Sequence, residues 1–82
     1  MTDVAIEVIV PHNADPLSYR GKLQNRATQL GWPEPHSGGT SFTTPAVDGH
    51  LVVDLEWELD TDPGPVIRVL EDEFDVHRVM WR

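Results

Sequence analysis

The sequence predicts one small α+β domain, in which a four-stranded, mostly antiparallel sheet carries two helices on one face. Three observations support this prediction: two segments with helical spacing and capping residues, four segments typical of strands, and the order in which they follow each other. The chain has 82 residues, which suits a single domain over residues 1–82. It contains no cysteine, so its small core must form without disulfides or thiolate metal sites.

The first part of the chain is predicted to form a strand and a helix. Residues 4–10, VAIEVIV, are rich in β-branched side chains, which favour a central strand. Asp15 is a suitable N-cap, and Pro16 suits the first helical position. Gly31 suits the position after the last turn. The apolar stripe of this helix is expected at Tyr19, Leu23, Ala27 and Leu30.

The middle of the chain is predicted to form a loop and a hairpin. Residues 32–40, WPEPHSGGT, contain enough proline and glycine to predict a loop. A short edge strand is expected at residues 41–44, because Pro45 follows it. The Asp-Gly pair at residues 48–49 is a turn signal, and the strand after it, residues 50–59, is the most regular in the chain.

The last part of the chain supplies a second helix and a fourth strand. Asp62 and Pro63 mark the start of a helix over residues 61–74, and residues 75–82 are typical of a strand. The resulting order resembles the ferredoxin-like β-α-β-β-α-β pattern. This resemblance implies that the first and third strands are central and that both helices cover the same face. It implies nothing about activity, because this arrangement hosts many unrelated functions.

Residues 52–60, VVDLEWELD, alternate between apolar and acidic side chains. On a strand, the two sets face opposite sides of the sheet. The apolar set is therefore expected to face the helices, and the acidic set to form a regular row on the other face, beside Glu7 of the first strand. This row comprises Asp54, Glu56, Glu58 and Asp60.

The last strand contains two arginines that alternate with apolar residues. If His77 faces the core together with Val79 and Trp81, then Arg78 and Arg82 reach the acidic face. Cross-strand pairs between these arginines and Glu7 contribute about 0.2–1 kcal/mol each. If the acidic face of the sheet has no functional role, it is a solvated surface with ordinary cross-strand ion pairs.

The net charge of the chain is concentrated in one segment. The chain has 14 acidic and 6 basic residues, which gives a formal charge of −8. Residues 54–75 contain nine acidic residues and one basic residue, and the rest of the chain is balanced. Such a chain is not expected to bind nucleic acid directly or to approach anionic membranes. A basic protein surface is the partner that this charge favours.

The sequence contains no pattern that predicts a metal site or catalysis. The four histidines lack the spacing of a zinc site, and residues 60–62, DTD, lack the glycine and terminal glutamate of a calcium loop. Glu56 and Glu58 are expected on an open sheet face, which offers no cleft to shift their pKa values apart. Ser37 beside His36 lacks the strand-turn-helix context of a nucleophile. We therefore expect no enzymatic activity, no catalytic residues, no metal and no cofactor.

The leading hypothesis is a non-enzymatic module that binds a basic site on a partner protein, including a site that otherwise holds nucleic acid. Small inhibitors encoded by phages and other mobile elements act in this way, with carboxylates in the place of phosphates, and this chain resembles them in size, charge and lack of catalytic motifs. Trp32 either caps the end of the first helix or, if exposed, anchors the partner. The predicted binding residues are Trp32, Asp54, Glu56, Glu58, Asp60, Glu71, Asp72, Glu73 and Asp75.

Two alternatives explain the same features. The first is a structural domain that self-associates as a homodimer through its sheet face or an edge strand, so that Arg78 and Arg82 of one copy meet the acidic row of another. The second is adaptation to high salt, which also favours aspartate over lysine. A cytoplasmic location is expected, because the start, MTDVAIEVIVPHN, lacks the basic region and cleavage site of a signal peptide, and no stretch approaches the ~20 apolar residues of a membrane span.

Overall fold

The computed structural model describes residues 2–41 and 50–82. The helices and strands are β1 (Thr2–Ile9), α1 (Pro16–Gln29), β2 (Ser37–Ser41), β3 (Val52–Leu59), α2 (Gly64–Glu73) and β4 (Val76–Trp81). The strands form one sheet in the order β2-β3-β1-β4, and all neighbouring strands are antiparallel. The predicted α+β class, the four-stranded sheet and the central position of the first and third strands are confirmed.

Helix α1 begins and ends where the sequence predicts. The side chain of Asp15 accepts a hydrogen bond of 2.9 Å from the backbone N–H of Ser18, which satisfies one of the unpaired donors of the first turn. Gly31 follows the helix with a φ of 105°, a left-handed conformation that glycine adopts without the cost of a Cβ clash. Leu23 and Ala27 are fully buried beneath the helix, so this face fixes α1 on the sheet.

Helix α2 is shorter than predicted and begins at Gly64. Its N-cap is Pro63, one residue after the predicted cap at Asp62. The backbone N–H of Gly64 donates a 3.0 Å hydrogen bond to Asp62 Oδ1, so this carboxylate still satisfies a donor of the first turn. Ile67 and Leu70 are buried on the inner side of the helix. Phe74 then adopts an extended conformation and leads directly into β4.

The core lies between the two helices and one face of the sheet. The buried residues of both helices belong to the same cluster as alternate residues of β1 and β3, which places both helices on one side. Trp57 fills the centre of this layer and is fully buried, and its Nε1 has no acceptor among the residues that the structure describes. The strand residues of this cluster are Val4, Ile6, Val8, Val53, Leu55, Trp57 and Leu59.

The second strand lies earlier in the chain than predicted. Residues 37–40 were expected in a loop, whereas Ser37–Ser41 form β2 and pair with β3. Gly38 permits this pairing, because a Cβ at this position would lie 2.6 Å from Leu55 Cδ2 and 3.1 Å from the Asp54 carbonyl oxygen. Residues 42–44 of the predicted strand and the predicted turn at residues 48–49 lie outside the described residues.

A β-bulge in β4 changes the expected orientation of its side chains. Arg78 pairs with Glu7, but the next paired residue is Val76, opposite Val8. Val76 therefore packs on the core, and His77 does not, contrary to the expectation from simple alternation. The His77 Nε2 atom instead lies 3.9 Å from Oε1 of Glu7, because the extra residue rotates this side chain away from the helices.

Candidate functional site

The face of the sheet opposite the helices carries most of the charged side chains of the strands. We call it the outer sheet face and define it by alternate residues of three strands. Strand β1 contributes two acids and an alanine, and β3 contributes three acids. Strand β4 contributes an arginine and a methionine, and a second arginine directly follows it. The residues are Asp3, Ala5 and Glu7, then Asp54, Glu56 and Glu58, and finally Arg78, Met80 and Arg82.

The register arranges these residues in three rows across the sheet. The two outer rows each read acid, acid, arginine, whereas the middle row reads acid, alanine, methionine. This repeat follows from strand register alone and therefore has the rigidity of the sheet. The rows are Asp54–Glu7–Arg78, then Glu56–Ala5–Met80, then Glu58–Asp3–Arg82.

Asp54 is a partly buried carboxylate that lies among other acidic side chains of the outer sheet face. Partial burial raises the pKa of Asp54, and the negative charges of Glu56 and Glu7 raise it further, while Arg20 opposes them more weakly. A raised pKa means that the protein disfavours the charged form. The negative charges of Glu56 and Glu7 act more strongly on Asp54 than the positive charge of Arg20, so a cation placed there from outside would be attracted.

A shallow groove of about 310 Å³ crosses the middle of the outer sheet face. Ala5 forms its floor because the methyl side chain is shorter than its neighbours, and Met80, which is 44% exposed, forms one wall. The carboxylates of Asp3 and Glu56 and the guanidinium of Arg82 border this apolar strip. An aliphatic stem whose cationic end lies on the side of the carboxylates matches this combination. The lining residues are Asp3, Val4, Ala5, His36, Glu56, Met80 and Arg82.

The predicted binding residues do not form one continuous surface. Asp54, Glu56 and Glu58 lie together on the outer sheet face as alternation predicts. Glu71 and Asp72 are exposed on α2, and α2 packs on the other face of the sheet. The sheet and its core therefore separate the two acidic groups. Asp60 and Asp75 are also exposed, each just beyond the end of a strand or helix.

Glu73 has a structural partner within the chain. Its carboxylate accepts hydrogen bonds from Arg26 of α1, with Nε–Oε1 at 2.8 Å, Nε–Oε2 at 3.0 Å and Nη2–Oε2 at 2.9 Å. The hydrogen bond from Arg26 lowers the pKa of the Glu73 carboxyl. This ion pair ties α1 to α2 across a cleft of about 550 Å³, so Glu73 is less available to a partner than its neighbours.

Trp32 is part of the core, so it lacks the exposure on which its predicted role in partner binding depended. Its side chain is 5% exposed and meets Trp57 edge-on, with ring centroids 4.8 Å apart. Its backbone N–H donates to the carbonyl of Ala27 at 3.0 Å. Of the two roles that the sequence left open, Trp32 takes the first and covers the end of α1.

Three residues of the outer sheet face were missed at the level of sequence. Asp3 continues the alternation of Glu7 toward the start of β1, one residue before the predicted start of the strand. Ala5 and Met80 carry no charge, so the charge pattern of the sequence does not indicate them. Their importance lies in the register that places them in one row.

The described residues show no metal cluster, and no helix in them is long and apolar enough to cross a membrane. Within residues 2–41 and 50–82, no three potential metal ligands come together. His12 and His50 stack with ring centroids 3.8 Å apart, but two histidines alone do not complete a metal site. No protein-family model matches this chain, and no curated protein matches it in sequence.

Proposed function

We propose that this chain is a non-enzymatic protein-binding module whose outer sheet face binds a basic surface of a partner protein. The observation that carries the proposal is the set of rows that the sheet holds rigidly, in which Asp54 lies beside Glu56 and Glu7. The raised pKa of Asp54 agrees with this concentration of negative charge. Charges held at fixed positions need little reorganisation when a partner binds, so more of their attraction contributes to affinity. Attraction of this kind steers association and weakens with salt.

The proposal extends to the type of basic surface. Acidic residues at successive same-face positions lie about 6.6–6.8 Å apart along a strand, so β3 presents a regular line of anions. A regular line of anions is what a nucleic-acid-binding site recognises through its arginines and lysines. We infer that the partner site otherwise holds nucleic acid and that the chain acts as a small inhibitor of the phage type in the cytoplasm.

We also assign the fold to the ferredoxin-like arrangement as part of this proposal. The basis is the element order together with the strand order β2-β3-β1-β4. This assignment adds no support to the proposed function, because the same arrangement serves many unrelated proteins.

The alternative of self-association across the outer sheet face is less favoured by charge. Each copy presents five carboxylates and two arginines on this face. Two such faces in contact would bring more like charges together than opposite charges, which is destabilising. The acidic face is therefore better suited to a basic partner than to a second acidic face.

Two double variants with the same change in charge test the proposed site. Glu56→Lys with Glu58→Lys reverses two acids on the outer sheet face, and Glu71→Lys with Asp72→Lys reverses two acids on α2. The probe is a dye-labelled, arginine-rich peptide of the kind that binds nucleic acid, and fluorescence anisotropy measures its affinity. We expect the outer-face variant to bind about tenfold or more weakly than the unchanged chain and the α2 variant within about threefold.

Two further readouts make this result specific. Duplex DNA should displace the chain from the peptide, and the affinity should fall as salt rises. Equal losses in both variants would show that only the total charge matters. Unchanged binding in the outer-face variant, with its fold intact by circular dichroism, would refute the proposed site.

A further inference from the structure

The groove of about 310 Å³ on the outer sheet face has room for one long side chain. Pockets for whole small molecules span about 300–1,000 Å³, so this groove lies at the lower limit. Its floor is Ala5, whose neighbours in the same row have longer side chains, Glu56 on β3 and Met80 on β4. The groove is therefore a gap in the middle row, open to solvent and to a partner.

The carboxylates beside this groove have no cationic partner within the described part of the chain. Asp3 and Glu56 both line the groove, and neither forms an ion pair with any residue that the structure describes. Glu73, by contrast, is held by Arg26. Two carboxylates at the groove are therefore free to accept hydrogen bonds from a ligand.

The charge of the lining is complementary to a ligand with one positive charge. Asp3 and Glu56 contribute two negative charges, and Arg82 contributes one positive charge, which leaves one negative charge while His36 is neutral. A single cationic group neutralises this remainder. Because Ala5 and Met80 form the floor and one wall, an apolar stem on that cationic group also matches the groove in polarity.

The placement of the two carboxylates favours a guanidinium over an ammonium. Asp3 and Glu56 are diagonal neighbours on β1 and β3, because Asp3 pairs with Glu58 and Ala5 pairs with Glu56. Diagonal neighbours lie about 7–8 Å apart. The planar fork of arginine has five N–H donors and can bridge two acceptors, whereas the ammonium of lysine is a compact point charge.

We propose that the groove is a binding site for one arginine side chain of the partner protein. The methylene groups of this arginine lie along Ala5 and Met80, and its guanidinium donates hydrogen bonds to the carboxylates of Glu56 and Asp3. Repulsion from Arg82 keeps the guanidinium on the β3 side of the groove, so Glu56 is the main acceptor. The site rests on the proposed function, since it specifies which side chain of the basic partner the outer sheet face selects.

The groove and the rows of acids make different demands on a partner. The rows attract any positive charge, and this attraction weakens as salt rises. The groove adds apolar contact with Ala5 and Met80, which salt does not screen. The preference for arginine over lysine should therefore persist at salt concentrations that weaken overall binding.

The first test uses the 82-residue chain with carbon-13 in its methionine methyl groups, observed by NMR. The chain has two methionines, so the signal of Met80 is one of only two. The probes are N-acetyl-arginine amide and N-acetyl-lysine amide, which carry the same charge. We expect the arginine amide to shift the Met80 signal saturably and to bind about fivefold or more tightly than the lysine amide. Equal binding of both amides, or no shift with either, would overturn the site.

The second test uses variants that alter the groove without altering the charge of the chain. Ala5→Leu fills the floor, and Met80→Ala removes a wall. Fluorescence anisotropy compares two labelled peptides, one rich in arginine and one with lysine at the same positions. The unchanged chain should bind the arginine peptide about fivefold or more tightly than the lysine peptide, and both variants should reduce this ratio to about twofold or less.

Leu17→Ala is the matched control for these variants, because Leu17 is a large exposed apolar residue of α1 that does not line the groove. We expect this variant to retain the preference for arginine within about twofold of the unchanged chain. Circular dichroism verifies that each variant is folded, and Met80→Ala decides the question if Ala5→Leu does not fold.

The outcomes separate the groove from the proposed function. If Glu56→Lys with Glu58→Lys weakens both peptides while Ala5→Leu and Met80→Ala bind them as the unchanged chain does, the outer sheet face binds basic partners and the arginine site is wrong. If neither peptide binds but the arginine amide shifts the Met80 signal, the proposed function fails and the groove remains a site for a guanidinium group.

Discussion

Asp54 and Glu7 lie directly opposite each other on β3 and β1, with both carboxylates on the outer sheet face. Like charges at opposed positions destabilise an antiparallel pair, and the raised pKa of Asp54, due first to burial and then to Glu56 and Glu7, reflects this cost. The chain thus places a destabilising pair at the centre of its sheet. Residues that lower the stability of the fold at their own position are expected at functional sites.

Replacing Asp54 with asparagine should stabilise the protein at neutral pH. The folded pKa of Asp54 lies above the unfolded value. The cost of ionising Asp54 is therefore absent below the unfolded pKa, about 3.9, and complete above the folded pKa. We expect Asp54→Asn to raise the free energy of unfolding by about 0.2–1 kcal/mol at neutral pH. The gain should disappear in acid. Urea denaturation at several pH values measures it.

The control for this prediction is Glu71→Gln, which removes one charge from an exposed position on α2. This variant should change stability less than Asp54→Asn at neutral pH. If Asp54→Asn instead destabilises the protein at neutral pH, the carboxylate of Asp54 makes a favourable contact, and its position on the outer sheet face is not strained.

The strands and helices with regular patterns could be predicted from sequence, and the irregular ones could not. Alternation over residues 52–59 fixes the strand and both of its faces, and Asp15 with Gly31 fixes the limits of α1. The sequence at Gly38 predicts a loop, because glycine is common in loops and the close approach of Leu55 depends on tertiary structure. The bulge at His77 is also invisible locally, since alternation assumes unbroken pairing.

The candidate site was also predicted only in part, because local patterns are visible in the sequence and tertiary contacts are not. The row of acids on β3 follows from local alternation, whereas the rows across the sheet depend on register between distant segments. Sequence spacing alone could not show that Glu71 lies on the other side of the sheet from Glu56, or that Glu73 is held by Arg26. These relations arise from packing.

The two glycines of β2 should respond differently to alanine. A Cβ at Gly38 would lie 2.6 Å from Leu55 Cδ2 and 3.1 Å from a backbone oxygen, whereas a Cβ at Gly39 would meet only Asp54 Oδ1, at 3.5 Å. We expect Gly38→Ala to destabilise the protein by about 1–3 kcal/mol, as for overpacking elsewhere. Gly39→Ala should be neutral or stabilising by up to about 1 kcal/mol. Denaturant unfolding of both variants gives the comparison, and equal effects would place β2 in a different register.

Two tryptophans of unlike burial allow a test of the core. Trp32 is 5% exposed and packs on Trp57, while Trp81 is 52% exposed. Trp32→Ala should lower the free energy of unfolding by about 3–5 kcal/mol. Trp81→Ala should cost much less, on the order of 0.5 kcal/mol. Comparable losses would mean that Trp32 does not belong to the core.

The ion pair between Arg26 and Glu73 should make the contact between α1 and α2 sensitive to pH. The hydrogen bond from Arg26 lowers the folded pKa of Glu73. The stabilisation is therefore complete above the unfolded pKa, about 4.3, and is lost as pH falls through the folded value. We expect Glu73→Gln to lower the melting temperature slightly at neutral pH and to have no effect in strong acid. Both side chains are partly exposed, at 35% and 40%, so the effect should also shrink in high salt.

Glu71→Gln is the control for this ion pair, because it removes the same charge from the same helix at a position without an ion pair in the described structure. A double-mutant cycle with Arg26→Gln isolates the coupling between the two side chains. The coupling should be present at neutral pH and absent once Glu73 is protonated. A coupling that persists in strong acid would show that the two residues interact through packing of their aliphatic parts, since the charge of Glu73 is then gone.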